Sequence, residues 1–189
     1  MPHINLGNDE FGIRSLLRYR PETARPMAML AEVLMRGPGT LTPGERELIA
    51  AYVSSRNECG YCTASHAASA SVRLPGGATL VDQVLAGPQT APVTPKLAAL
   101  LQIAGAVQQG GKAVSEVDVA TAREAGATDL EIHDTVLIAA AFCMFNRYVD
   151  GLATTVPPDP AVYLAAAQQN INQGYMATLD RLGASQQAG

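Results

Sequence analysis

The sequence predicts an all-α fold, and three observations lead to this class. Proline, glycine and capping residues divide most of the chain into segments of helical length. Runs that alternate apolar and polar residues, the pattern of half-buried strands, are scarce, and clusters of β-branched residues are short. The chain has 189 residues, which is enough for one domain with a substantial core and short for two. We therefore expect a single all-α domain over residues 1–189.

The first two predicted helices have clear boundaries. An apolar stripe runs through Pro21–Arg36, and a Gly-Pro pair follows it as a stop. Pro26 lies inside this pattern, so the helix either starts or kinks there. Thr42 caps the second helix, which has proline at its first position, and Glu45 completes a capping box. That helix is expected to end near Arg56.

The next four helices are delimited by the same kinds of signal. One begins near Cys59 and ends at the break that starts with Leu74. A short helix is expected at 79–85, before a proline-rich loop. Thr94 and Ser115 each cap a further helix, and glycines end both.

Two helices are expected in the last third of the chain. Thr128 and Glu131 form a second capping box, which opens a long helix that ends near Ala153. The sequence Pro-Pro-Asp-Pro then interrupts the chain. A final helix is predicted at about 161–182.

The composition excludes several classes of partner. Thirteen Lys and Arg against 17 Asp and Glu give a net charge of −4. No basic run could bind a phosphate backbone, so we expect no nucleic-acid binding. The longest apolar run, 136–145, is about half of the ~20 residues that a membrane span needs. The first residues lack a cationic stretch followed by an apolar one, so we expect no secretory signal and a cytoplasmic protein.

Two further features of the composition bear on assembly and chemistry. Charged residues make up 16% of the chain, against roughly 25% in an average domain. This low share indicates either a surface covered by partner subunits or simply an alanine-rich helical protein. Three cysteines do not make a secreted disulfide framework, and a close pair in a reducing compartment indicates redox or metal chemistry.

The stretch NECGYCTASH places two cysteines beside a histidine. In a helix that begins near Cys59, Cys62 lies three residues on and His66 seven residues on, so the three side chains share one face. Cys59 would lie in the first turn, where free N–H groups and the helix dipole favour a thiolate. An imidazole is the usual base for a thiol, and a second thiol one turn away can close a disulfide. The pattern indicates a dithiol with its own base.

Other interpretations of this pair stay open. The cysteines could fill the core as small apolar residues. They could bind zinc together with His66, although only three ligands are visible. A thioredoxin-type Cys-x-x-Cys would need a βαβ setting, which an all-α chain lacks.

The combined spacing of four residues resembles a known family. The pattern consists of Glu47, eleven residues, Cys59-x-x-Cys62, three residues and His66. It resembles that of the alkylhydroperoxidase AhpD-like proteins of the carboxymuconolactone decarboxylase superfamily. The segments LMRGPGTLTPGERELIAAYVSSRNECGYCTASH and FNRYVDGL are similar to its peroxidase-related branch, and the resemblance covers about 21–156. It implies an AhpD-like helical bundle that assembles into homotrimers or homohexamers. It also implies reduction of organic hydroperoxides by the dithiol, with no metal or organic cofactor, and a lipoyl-bearing or thioredoxin-type protein as reductant.

The resemblance assigns roles by position. Cys62 matches the cysteine that attacks the peroxide, Cys59 matches the resolving cysteine, and His66 and Glu47 match a proton relay that activates Cys62. The helix-end argument favours Cys59 instead as the more acidic thiol, whereas adjacency to His66 favours Cys62. Tyr61 stands where well-known members carry a histidine, and a tyrosine is a poor base near neutral pH, so a weaker or rewired relay is expected.

Four further residues have less specific signals. Cys143 lies in an apolar helical segment and is expected to be a buried small hydrophobe. His133 is a candidate for lining the site, Asn146 matches part of a family signature or lines an interface, and Glu58 is expected to be a surface charge. Two alternative functions remain: a decarboxylase-like enzyme of the wider superfamily, which leaves the cysteine pair without a role, and a redox-sensing oligomer without turnover.

Overall fold

The computed structural model describes residues 1–183, and over this range the chain is all-α, as predicted. It contains ten α-helices and a 3-10 turn at Gly111–Ala113, and no strand occurs in the described residues. The helices are α1 (Gly12–Tyr19), α2 (Pro21–Arg36), α3 (Pro43–Arg56), α4 (Gly60–Arg73), α5 (Gly77–Ala86), α6 (Pro95–Gln109), α7 (Glu116–Glu124), α8 (Asp129–Gly151), α9 (Ala161–Gln173) and α10 (Met176–Arg181).

Both predicted capping boxes are confirmed. At the start of α3 and again at the start of α8, the threonine hydroxyl accepts a hydrogen bond from the glutamate N–H at 3.2 Å. The glutamate carboxylate in turn accepts one from the threonine N–H at 2.8 Å. These paired bonds satisfy N–H groups that a helix start leaves free, which fixes where Thr42 and Thr128 begin their helices.

Glu131 of the second box also ties α8 to α6. Its Oε1 atom lies 2.7 Å from Lys96 Nζ and accepts a second hydrogen bond from Thr40 at 2.9 Å. Desolvation by itself would raise the pKa of this carboxyl. The hydrogen bonds from Lys96, Thr128 and Thr40 outweigh it and lower the pKa of Glu131 to about 2.

The structure differs from the sequence prediction in two elements, α1 and the C-terminal helix, whereas the predicted bounds of α2 are confirmed. Helix α1 was not expected: it starts at Gly12 with φ of +54°, and its N-cap residue makes no capping hydrogen bond. Helix α2 begins at Pro21, so Pro26 lies within it and is not its start. The predicted single helix at 161–182 is wrong, because Gly174 has φ of +81° and separates α9 from α10.

The largest apolar cluster lies between α3, α6 and α8. Leu48 and Ile49 of α3, Leu100 and Leu101 of α6 and Ile138 of α8 are all fully buried in it. Helix α4 follows α3 after only three residues and packs along it. The start of α4 belongs to a separate, smaller apolar cluster, and the site described below lies beside it. None of the described helices combines the length and hydropathy needed to cross a bilayer.

Candidate active site

Glu47 and His66 form a hydrogen-bonded pair between α3 and α4. The Glu47 side chain is 2% exposed and that of His66 is 13% exposed. The Oε2 atom of Glu47 lies 2.7 Å from Nδ1 of His66. Because an ionised carboxylate can only accept, the imidazole donates through Nδ1, and in a neutral ring Nε2 then carries no proton. Nε2 is then the ring nitrogen that can accept a proton.

The other carboxylate oxygen of Glu47 is held by Tyr175. The Tyr175 hydroxyl, in the short connection between α9 and α10, donates a hydrogen bond of 2.7 Å to Oε1. Burial of the hydroxyl, and then the nearby Glu47 charge, raise the pKa of Tyr175 well above its usual value. The phenol therefore remains a donor. Tyr175 was not predicted from the sequence, because a contact between residues 128 positions apart leaves no local signal.

The two cysteines lie at the start of α4 as free thiols. Cys59 is the N-cap residue and is fully buried, whereas Cys62, in the first turn, is 3% exposed. The Cys59 side chain makes no capping hydrogen bond to the described N–H groups of the helix. The direct stabilisation of a Cys59 thiolate that the sequence led us to expect is therefore missing from these contacts.

The surroundings of Cys62 disfavour its thiolate form. A hydrogen bond with Cys59 raises the pKa of Cys62 most, followed by burial, and Asp150 adds a smaller effect in the same direction. The amide of Asn146 acts against this shift. A thiol with a raised pKa needs a base before it can act as a nucleophile. His66 lies four residues further along α4, on the same face of the helix as Cys62.

A cavity of about 120 Å³ adjoins these residues. In the described part of the chain its walls include Cys62 and His66 but not Cys59. The walls are mostly apolar, and Phe142 of α8 packs edge to face against the His66 ring, with 4.5 Å between the ring centres. Cys62 and His66 therefore share the wall of a mostly apolar cavity.

Tyr61, which replaces the expected histidine, also lines this cavity. Its ring centre is 5.9 Å from that of Tyr163, and it packs so closely on Gly12 that a Cβ at Gly12 would collide with the ring. Burial raises the pKa of Tyr61 further above its usual value. Tyr61 is consequently a hydrogen-bond donor that does not act as a base near neutral pH.

Asn146 lies in a buried polar network beneath the cysteines. Its amide donates to Ser54 Oγ at 3.0 Å and its carbonyl accepts from Asn57 at 2.9 Å. These bonds orient the amide that also lowers the pKa of Cys62. The sequence marked Asn146 as a candidate, but its hydrogen bond to Ser54, 92 positions away, could only be identified from the structure.

Other sequence candidates lie outside the site. His133, a candidate for lining the site, is exposed, pairs with Asp134 at 3.0 Å and is not part of the cavity wall. Cys143 is only partly buried against the main core, where full burial was expected. Glu58 is exposed, as predicted. Within residues 1–183, no group of three or more His, Cys, Asp or Glu side chains could hold a metal ion.

Comparison with known proteins links this geometry to a family. Residues 21–74, which include α2 to α4 and all four predicted site residues, match the carboxymuconolactone decarboxylase family. No curated protein matches the chain.

Two solved structures resemble about four fifths of this chain. One is an uncharacterized peroxidase-related protein from Silicibacter sp. TM1040, with 26% identity, a TM-score of 0.72, and coverage of 80% of this chain and 78% of that one. The other is an alkylhydroperoxidase AhpD core, an uncharacterized peroxidase-related protein from Ralstonia eutropha JMP134, with 29% identity, a TM-score of 0.70, and coverage of 81% and 78%. Together with the all-α fold, these matches support the assignment of this chain as an AhpD-like member of the carboxymuconolactone decarboxylase superfamily.

Proposed function

We propose that the protein is a thiol-dependent peroxidase that reduces organic hydroperoxides through Cys59 and Cys62, as part of antioxidant defence. One observation carries this proposal: Cys62 and His66 line the same mostly apolar cavity, and Glu47 is bonded to His66 from the buried side. Such a cavity suits the organic part of a hydroperoxide, and the base beside the thiol suits its activation.

In the first step Cys62 attacks the peroxide. His66 Nε2 accepts the Cys62 proton, and the thiolate sulfur forms a bond to the terminal oxygen of the hydroperoxide while the O–O bond breaks. The departing alkoxide takes the proton from His66 and leaves as an alcohol. Cys62 remains as a sulfenic acid, oxidised by two electrons.

In the second step Cys59 resolves the sulfenic acid. Its thiol sulfur forms a disulfide with Cys62, and the sulfenic oxygen leaves as water with the Cys59 proton. An external dithiol then supplies two electrons and two protons and restores both thiols. We propose a lipoyl-bearing or thioredoxin-type protein for this role, and the cytoplasm, a reducing compartment, as the location.

We also propose that the protein is a homotrimer or homohexamer. The exposed side of α8 supports this, because Leu130, Leu137 and Met144 recur every seven residues and are 54%, 39% and 46% exposed. Spacing by seven keeps them on one face of the helix. A second copy of the chain could cover this row.

The test is turnover of cumene hydroperoxide with excess dihydrolipoamide, followed as loss of peroxide. We expect the wild-type protein and Cys143→Ser to consume peroxide at the same rate, and Cys62→Ser to consume none above background. Cys143 is a matched control because it is partly buried and does not line the cavity. Equal consumption by wild type and Cys62→Ser would refute the proposal, and would leave the decarboxylase-like and redox-sensing alternatives.

A further inference from the structure

We propose that helices α9 and α10 complete the active site, and that Tyr175 is a positioning residue that holds Glu47 in register with His66. The kinetic consequences of this inference rest on the proposed peroxidase function. The positional inference itself rests on contacts between the C-terminal helices and the rest of the protein.

Glu47 is held at both carboxylate oxygens. Tyr175 donates to Oε1 and His66 donates to Oε2, each at 2.7 Å. The carboxylate cannot rotate without losing one of these bonds. The Tyr175 hydroxyl, by holding Oε1, therefore also fixes the position of Oε2, which orients the imidazole. The raised pKa of Tyr175 keeps the hydroxyl protonated across the physiological range, which supports a constant donor role.

The chain that carries Tyr175 is itself anchored to α2. The backbone N–H of Tyr175 donates to Glu32 Oε2 at 2.6 Å, and the other oxygen of Glu32 accepts from Arg36 Nε at 2.9 Å. Arg36 in turn donates to the carbonyl oxygens of Asn170 and Ile171, both at 3.0 Å. One ion pair on α2 thus binds the end of α9 and the residue just before α10, on either side of the bend.

Gly174 makes this bend possible. Its φ of +81° is in the left-handed region, and an added Cβ would lie 2.6 Å from Glu32 Oε2. Any other residue would face both backbone strain and a clash with the anchor. The position of Tyr175 beside Glu47 therefore depends on a glycine directly before it.

The same segment covers the cavity. Tyr163, Ala167 and Asn170 of α9 and Thr178 of α10 line it, opposite the α4 face that carries Cys62. The C-terminal helices therefore supply both a wall of the cavity and the hydrogen bond to Glu47. Tyr175 lines the cavity as well, and its replacement by phenylalanine removes the hydroxyl while the ring remains in the wall.

The kinetic test compares Tyr175→Phe with Tyr52→Phe. Tyr52 is a matched control because it is a buried tyrosine on α3, outside the cavity, with its hydroxyl against Gly105 of α6. In a single turnover with cumene hydroperoxide, we expect the rate constant for oxidation of Cys62 to fall about tenfold in Tyr175→Phe, because a hydrogen bond to a charged group is lost. Tyr52→Phe should react like wild type. Equal rates for wild type and Tyr175→Phe would overturn the inference.

A double-mutant cycle separates positioning from general destabilisation. If Tyr175 acts through Glu47, Tyr175→Phe should slow the Glu47→Gln variant by less than about twofold. A tenfold loss in both backgrounds would mean that Tyr175 acts independently of Glu47 and would overturn the positioning role.

Imidazole NMR provides a readout that needs no turnover. The chain has only three histidines, His3, His66 and His133, so ¹⁵N-histidine labelling with a His66→Gln reference identifies the signals of the His66 ring. We expect Tyr175→Phe to shift the His66 Nδ1–H signal and to leave the other two unchanged. An unchanged His66 signal in Tyr175→Phe would refute the inference. If Tyr175→Phe shifts the signal but the wild-type protein has no peroxidase activity, only the proposed function is refuted.

Discussion

Replacement of Glu47 by glutamine should slow the oxidation of Cys62 about a hundredfold. The substitution keeps the shape of the side chain and removes its charge. In the native site the carboxylate accepts hydrogen bonds of 2.7 Å from His66 and from Tyr175. It also faces the positive charge that His66 gains when it takes the Cys62 proton.

The magnitude follows from these two contributions. Exchange of a charged for a neutral hydrogen-bond partner of His66 costs about 1–1.5 kcal/mol, or about tenfold in rate. The imidazolium forms next to a side chain that is only 2% exposed, where a fixed negative charge is poorly screened, and we expect about another factor of ten from its loss. The product, about a hundredfold, lies at the lower end of what general-base help typically provides, about 10²–10⁴.

The assay is rapid mixing of the reduced protein with cumene hydroperoxide, followed by mass spectrometry of the quenched thiols. Glu45→Gln is the matched control, since it changes the same charge two residues away on α3 and a glutamine still completes the capping box. We expect Glu45→Gln to react like wild type. A Glu47→Gln variant slowed by less than about threefold would refute the view that the carboxylate supports the base.

Three more predictions concern the thiols, the fold and the assembly. In a single turnover, Cys62→Ser should consume no hydroperoxide, whereas Cys59→Ser should consume one equivalent and leave a sulfenic acid that dimedone traps; the reverse result would exchange the two roles. The lowered pKa of Glu131 stabilises the folded state by about 3 kcal/mol above pH 4.5, and this contribution is lost as the pH falls toward 2. The free energy of unfolding, measured with urea at a series of pH values in this range, should therefore change less with pH in Lys96→Met than in wild type. Equal pH dependence in the two proteins would contradict this assignment. Light scattering should give a mass well above 19.7 kDa, and Leu137→Glu should lower it; a monomeric wild type would rule out the oligomer.

The sequence predicted the parts of the fold that depend on local signals. Thr42 and Thr128 lie next to the residues that they cap, so their capping boxes could be recognised within four residues. Helix α1 lacks such a signal, because it starts at Gly12 after an uncapped Phe11. Gly174 is a local signal for the break between α9 and α10 that the prediction did not use, whereas the bond from the Tyr175 N–H to Glu32 joins distant parts of the chain and leaves no local pattern.

The candidate site could be predicted only in part for the same reason. The spacing of Cys59, Cys62 and His66 on one segment was visible in the sequence, and the partner of His66 followed only from a family resemblance. The hydrogen bond from Tyr175 to Glu47 joins the connection between α9 and α10 to α3 and was not anticipated. The burial of Cys59 away from the cavity is likewise a property of packing, which residue spacing does not determine.

The burial of Cys59 also bears on which sulfur of a Cys59–Cys62 disulfide an external thiol could attack. In thiol–disulfide exchange one sulfur is attacked and the other departs, and access selects between them. A reductant that enters through the cavity meets only Cys62, so it would form its mixed disulfide there and release Cys59 into the protein interior. Cys62 would then form the covalent bond both with the peroxide oxygen and with the reductant. Cys59 would react only with Cys62 and would make no direct contact with either external molecule.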